Sequence, residues 1–302
     1  MSCYDKLIAP INKEISFIEQ IPVIEGYVLV IGGGKVGTRF IEETDPERYP
    51  FVITIDIDPN ASSSRSAHLI QTETELSQVL QQKTYHCDEY GDKKRNYFFA
   101  SDLSIIPFIL SHGFPEYIVP AVPVHIASKI VLDFASSAFQ VKSNSTNTPL
   151  HNLSTTKFGE HLDYFNDIIA CLPENLIYSY NKEKGMIILS YTKENEICPD
   201  ECTGHSNYCP YFDREKDGDS IEHVKNLQKH YLGWVFESYQ IGAGLGGISG
   251  LETKTNLIEI LNYFVNTLLL DQTFIYQGNL FIATSCKCHG IIDLFSYDLS
   301  VI

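Results

Sequence analysis

Residues 27–37 read YVLVIGGGKVG, and this stretch decides the fold. Tyr27 to Ile31 is a short unbroken apolar run, the pattern of a strand buried on both faces of a parallel sheet. Glycines follow at once, and Lys35 to Glu43 then reads as a helix. Gly32, Gly34 and Gly37 occupy the fixed positions of G-x-G-x-x-G. The first permits a tight turn, the second removes a side chain that would block a pyrophosphate, and the third lets the helix pack closely on the strand. The helix start adds backbone N–H groups and the positive end of its dipole, so the expected ligand is a dinucleotide.

Outward from the loop, Phe51 to Ile55 (FVITI) reads as a second strand, ending at Asp56, 24 residues after Gly32. A carboxylate at that spacing accepts hydrogen bonds from the adenosine ribose and repels a 2′-phosphate, which predicts NAD(H) ahead of NADP(H). Asp58 is a second candidate for the same role. Asn96 to Ala100 and Tyr117 to Ala121 supply further strands, and Pro123 to Phe134 an apolar helical face with proline in its first turn. The polar stretch Ala61 to Arg95 reads as an insertion holding one helix, Glu73 to Gln82. Strands alternating with helices predict an α/β protein with a Rossmann-like parallel sheet. Residues 142–156, rich in Ser, Thr and Asn, read as a linker between a dinucleotide-binding domain at 1–141 and a smaller cysteine-containing α/β domain at 157–302. In the second part Met186 to Tyr191, Trp234 to Tyr239 and Leu280 to Thr284 read as strands and Leu251 to Leu270 as a helix.

Five of the eight cysteines fall in two tight groups. Cys198, Cys202 and Cys209 lie in ICPDECTGHSNYCP; Cys286, Cys288 and His289 lie in SCKCHG. Thiolates are soft donors suited to zinc or iron–sulfur clusters, and short spacers with Pro and Gly bend the backbone so that sulfurs converge. Two ligand sets are open. The first segment could close a site with His205, or its three cysteines could join one from the second segment, leaving the other cysteine and His289 for chemistry. Cys3, Cys87 and Cys171 stand alone and read as ordinary thiols.

A second glycine run, Gly242, Gly244, Gly246 and Gly247, precedes the long C-terminal helix and is a candidate anion or substrate loop. His125 follows the fourth strand and is the candidate general acid or base; Asp102, after the third, reads as a helix cap.

The bulk numbers narrow the function classes. A net charge of −16 with no Lys/Arg cluster disfavours nucleic acid as a partner. No apolar run reaches the roughly eighteen residues of a membrane span, and Met1 to Pro10 lacks the pattern of a secretory signal, so the expected location is cytoplasmic. A small-molecule substrate is the expected partner, and a homo-oligomer is compatible with the sequence.

The stretches VIGGGKVGTRF, IDIDP, IVPAVPVHIAS, CPDEC with CP at 209 and 210, GAGLGGISG and SCKCHG together resemble an uncharacterised family of archaeal and bacterial proteins. That family pairs a Rossmann domain with a cysteine motif and is sometimes labelled potassium-transporter-related. Proline often stands there at the position of His205, which the resemblance therefore weakens as a ligand. GGGKVG is also similar to the loop of the dehydrogenase that oxidises precorrin in sirohaem synthesis. Both likenesses bear on the nucleotide fold more than on the reaction. The resulting expectation is an NAD-dependent oxidoreductase with a cysteine-ligated metal, zinc or iron–sulfur. Its alternative is a non-enzymatic NAD or redox sensor whose metal is structural.

Overall fold

The computed structural model describes residues 3–82, 95–139, 162–199, 202–242, 244–270 and 277–298. In chain order these form α1 (Cys3–Gln20), β1 (Val23–Ile31), α2 (Lys35–Glu43), β2 (Phe51–Asp56), β3 (His68–Ile70), α3 (Glu73–Gln82), β4 (Arg95–Ala100), α4 (Ile106–Ser111), β5 (Phe114–Pro120) and α5 (Ile126–Phe139). Then come α6 (Leu162–Ala170), β6 (Ile177–Asn181), β7 (Met186–Ser190), β8 (Tyr208–Cys209), β9 (Arg214–Glu215), α7 (Ser220–Leu227), β10 (Gly233–Gly242), β11 (Leu245–Ser249), α8 (Gly250–Leu270), β12 (Gln277–Ser285) and β13 (His289–Asp298). The protein is mixed α/β. Among the described residues no helix is long and apolar enough to cross a membrane.

Contacts divide the chain into two compact units, each built from separated stretches: residues 18–124 with 238–254, and residues 1–17 with 125–237 and 255–302. The division is not the sequential one expected at a linker. The proposed linker, 142–156, lies outside the described residues. What breaks the sequential order is the end of β10, β11 and the start of α8, which return to the first unit: Ile248 and Ser249 of β11 pair antiparallel with Ile118 and Tyr117 of β5.

In this glycine-loop unit β3, β4, β2, β1 and β5 lie side by side and parallel, followed by antiparallel β11 and the end of β10. The apolar run of β1 is why it sits in the middle: Tyr27 to Ile31 are each 0% exposed. Val28 and Val30 on one face pack with Phe40 and Ile41 of α2, Val52 of β2 and Val119 of β5. Each such side chain fully removed from water contributes roughly 1.5–3 kcal/mol. From β1 the chain steps to β2 and on to β4, then returns to β5 on the opposite side of β1. Ile31 is therefore flanked by Ile55 and Pro120, and the order in which strands are added changes side at β1. In open α/β sheets a ligand crevice forms at such a reversal, outside the carboxyl ends of the strands. The helix expected from Pro123 starts at Ile126 instead. Residues 122–124 form a bend before it.

The second unit carries both cysteine segments and is the larger of the two, not the smaller. Its mixed sheet runs from the first half of β10 through β12, β13 and β7 to β6; β10 and β12 are parallel and the other pairs antiparallel. The core on this sheet joins Phe165 and Ile168 of α6, Ile187 and Leu189 of β7, Val224 of α7, Phe281 of β12 and Ile292 of β13.

Candidate functional site

The three motif glycines are explained separately by their surroundings. Gly32 has φ +110°, and a Cβ there would stand 2.5 Å from the carbonyl oxygen of Ala121. A Cβ on Gly37 would stand 2.0 Å from the oxygen of Gly32, so only glycine lets α2 come this close to β1. Gly34 is different: it has φ −74°, it begins α2 without a side-chain cap, and a Cβ there would meet nothing within 4 Å. Neither backbone strain nor internal packing asks for glycine at that position.

Asp56 holds the turn as well as ending β2. Its Oδ2 accepts a hydrogen bond from Gly33 N–H at 2.6 Å, and its Oδ1 accepts one from Asp58 N–H at 2.8 Å. A carboxylate has about four acceptor positions, so both oxygens keep capacity for a ligand hydroxyl. Asp58 is exposed and its Oδ1 accepts from Asn60 N–H at 2.9 Å. Ile57 between them is 77% exposed, an apolar side chain left largely in solvent. Asp102 is a cap: its carboxylate accepts from Ser104 N–H at 2.8 Å.

The second glycine run lies in a hairpin. Gly242 ends β10, while Gly246 and Gly247 lie within β11 and pair with Gln240 and Tyr239 across a hairpin. These glycines serve close packing: a Cβ on Gly246 would stand 2.5 Å from Ser238 Oγ, and one on Gly247 2.8 Å from a methyl of Ile241. Gly244 takes the positive φ, +62°, of the turn.

The cysteine segments do come together. SCKCHG is a hairpin turn joining β12 to β13, closed by Ser285 opposite Gly290 and by Cys286 N–H donating to His289 O at 2.8 Å. Backbone bonds fix its place, since Ser220 and Ile221 N–H at the start of α7 donate to Lys287 and Cys286 O, and Tyr191 N–H donates to Cys288 O. Opposite, the small β8–β9 hairpin pairs Cys209 with Arg214. Tyr191, Thr192, Cys198, Cys202, His205, Cys209, Phe212, Lys216, Cys288 and His289 line one cavity of about 20 Å³. Cys286 stands beside it, its Sγ 4.0 Å from His289 Nδ1; His289 Nε2 lies 3.7 Å from Cys198 Sγ. Among the described residues no three Cys, His, Asp or Glu side chains stand close enough together to hold an ion as they are, so the sulfurs line the cavity without closing on its centre.

Two cations border this cavity. Arg214 is neutralised by Glu196 through bonds of 2.7 and 3.0 Å. Lys216 is 6% exposed; its ammonium donates to the carbonyl of His205 and to Cys288 Sγ at 3.2 Å, and lies 5.1 Å from the centre of the Tyr191 ring. Burial pushes the Cys288 thiol pKa up, and the Lys216 hydrogen bond opposes that rise. Burial also raises the Tyr191 phenol, to about 12. Cys171 is exposed and apart from this group, 3.7 Å from the Tyr231 hydroxyl; the side chains of Cys3 and Cys87 lie outside those described.

His125 has partners that sequence reading missed. It lies just before α5, and its carbonyl accepts from Lys129 N–H, as the first carbonyl of that helix. Its Nδ1 is 2.9 Å from Asp293 Oδ2 and 2.8 Å from Ser128 Oγ, and its Nε2 is 2.9 Å from Thr284 Oγ1. Ile282 pairs with Asp293 and Thr284 with Ile291, so Thr284 and Asp293 share one face of the β12–β13 ladder as diagonal neighbours, and His125 bridges them. Hydroxyl, imidazole and carboxylate in this order can pass a proton, with the carboxylate fixing the ring and stabilising its charged form.

Residues 147–298 match the model of the AF_1314_C family, described as "Uncharacterized protein, C-terminal domain". A relative from Archaeoglobus fulgidus, described as an uncharacterized protein, is 25% identical over 267 residues, which is 87% of this chain and 96% of the relative. No solved structure matches. Because the family match takes in half of the chain and both cysteine segments, this protein belongs to the AF_1314_C family.

Proposed function

We propose that the chain is an NAD-dependent oxidoreductase, in which a Rossmann-type sheet binds NAD(H) in preference to NADP(H) and the larger unit holds a cysteine-ligated metal. The observation that carries the reading is Gly34, a glycine required by neither strain nor packing, at the uncapped start of α2 and at the reversal point of a parallel sheet. A bound pyrophosphate supplies the missing reason for it. Asp56, and less directly Asp58, would receive the ribose hydroxyls, and exposed Ile57 offers an apolar surface for the base.

The donor chemistry of the cysteine cavity fits a soft metal. Cys198, Cys202, Cys209 and Cys288 would hold it, since Cys288 lines the cavity and Cys286 stands beside it. Four such thiolates are the donor set of a single zinc ion as well as of an iron–sulfur cluster, and the single ion is the simpler occupant. Such an ion, when bound, would polarise a substrate oxygen or hold the fold together. Without it the chain's own residues already provide proton handling: Asp293 and Ser128 orient His125, and Thr284 sits on its other nitrogen. That arrangement favours an enzyme acting on a small-molecule substrate over a sensor. His289, exposed between two thiols, is a second acid–base candidate.

Calorimetric titration of the purified chain with NADH and NADPH tests the reading. NADH binding at least about tenfold tighter than NADPH, about 1.4 kcal/mol, is expected. Binding of neither nucleotide would remove the proposal.

A further inference from the structure

We propose that Lys216 is the built-in counter-cation of a mononuclear four-thiolate metal centre formed by Cys198, Cys202, Cys209 and Cys288. The inference rests on the metal reading above and adds the charge state of the centre and the residue that balances it.

The argument starts from what a buried ammonium requires. Lys216 is 6% exposed, and an ammonium removed from water needs an anionic partner. Among the described residues no carboxylate stands at ion-pair distance from it; its polar contacts are the His205 carbonyl and Cys288 Sγ. The neighbouring cation, Arg214, already has Glu196. Among the described residues the group touching the ammonium that can become anionic is Cys288 Sγ, one of the sulfurs that line the same cavity. Neutral thiols do not provide that charge. Four thiolates around a divalent ion leave two net negative charges, and each thiol that binds releases its proton to solvent. Lys216 offsets one of those charges and donates an N–H···S hydrogen bond to Cys288. Geometry already fixes the donor: Lys216 N–H bonds to Asn207 O, directly before β8, so the lysine and Cys209 are carried by one hairpin facing the Cys288 turn.

A structural lysine and a counter-cation respond oppositely to Lys216→Met. If the lysine serves the metal, its loss leaves the metal-free protein at least as stable as before, because an uncompensated buried charge is gone. Metal affinity, in contrast, falls by about tenfold to a hundredfold, the usual effect of losing a partner behind a ligand. The full-length chain is loaded with Co²⁺ as a spectroscopic probe and with Zn²⁺ in competition with a chelator; melting curves are recorded with and without metal. We expect wild type to take up one ion per chain with the thiolate-to-cobalt absorption of a tetrahedral sulfur site. Lys216→Met should keep that spectrum but bind more weakly, and Cys288→Ser, but not Cys286→Ser, should weaken the absorption. Should Lys216→Met fail to fold, Lys216→Gln, which keeps a donor and drops the charge, takes its place with the same readings.

No uptake of Co²⁺ or Zn²⁺ by wild type overturns the metal reading itself. Uptake with unchanged affinity in Lys216→Met overturns the role of Lys216 alone. Equal destabilisation of the metal-free and loaded forms makes Lys216 an ordinary structural residue, and loss of the absorption in Cys286→Ser overturns the ligand set.

Discussion

Replacing Gly34 by valine should separate folding from nucleotide binding. The backbone at Gly34 is extended, φ −74° and ψ −156°, without the positive φ that favours glycine, and its Cβ would enter open space. Losing glycine narrows the unfolded ensemble, which stabilises by about 0.4–1 kcal/mol. Valine is a poor residue at a helix start, at a cost of up to about 1 kcal/mol. The two effects nearly cancel, so the melting temperature should move by no more than about 2–4 °C. For the nucleotide, two methyl groups occupy the approach to the helix start, and a loss of at least about a hundredfold in affinity, about 2.7 kcal/mol, is expected. Gly37→Ala provides the contrast. Its Cβ would lie 2.0 Å from Gly32 O and 3.1 Å from a Val30 methyl, so α2 must shift, at about 3 kcal/mol or more. Thermal melting of both variants, paired with fluorescence titration of NADH, reads the two effects separately. Wild-type NADH affinity in Gly34→Val, or unfolding of that variant with Gly37→Ala tolerated, would refute the reasoning.

Asp56→Ala removes both acceptors of the turn and should cost about 1–3 kcal/mol in urea unfolding while narrowing the NADH over NADPH preference; unchanged stability would show that its two hydrogen bonds count for little. His125→Leu leaves Asp293 and Thr284 without the ring between them, and a loss of about 2–4 kcal/mol is expected from denaturant midpoints, whereas a neutral result would mean that water replaces the imidazole. Because burial raises the Tyr191 phenol from 10 to about 12, folding favours its protonated form. That contribution is intact below pH 10 and is lost as pH rises towards about 12, so Tyr191→Phe should flatten the alkaline decline in stability; an identical decline in the variant would count against the assignment.

Local chemistry was the legible part of this protein. The β1 run, the glycine turn and the acid after β2 are set by residues within about thirty positions of one another, and the structure places them together at one strand end. The helix Glu73–Gln82 was equally local. Distant pairings were not readable: Asp293 and Thr284 lie 168 and 159 residues from His125, and only the β12–β13 register makes them neighbours. Strand β13 was hidden by the SCKCHG motif, which was read as a ligand loop when it is also a hairpin turn. The Gly242 to Gly247 run signals a loop by composition, whereas Gly246 and Gly247 lie in a strand, close to the side chains of Ser238 and Ile241. Lys216 carries no motif, and its burial follows from a hairpin that sequence alone does not pair.

The return of β11 to β5 bears on how the protein is made. During synthesis β5 is complete by Pro120, but the strand that covers its outer edge, Leu245–Ser249, emerges more than a hundred residues later. Until then the growing chain presents an unpaired strand edge, a surface on which nascent chains stick to one another. A gene fragment stopped after β5 would carry that edge permanently. The two halves are therefore not exchangeable cassettes: each gene segment encodes part of the other's structure, and domain swaps between relatives should succeed only when β11 travels with β5.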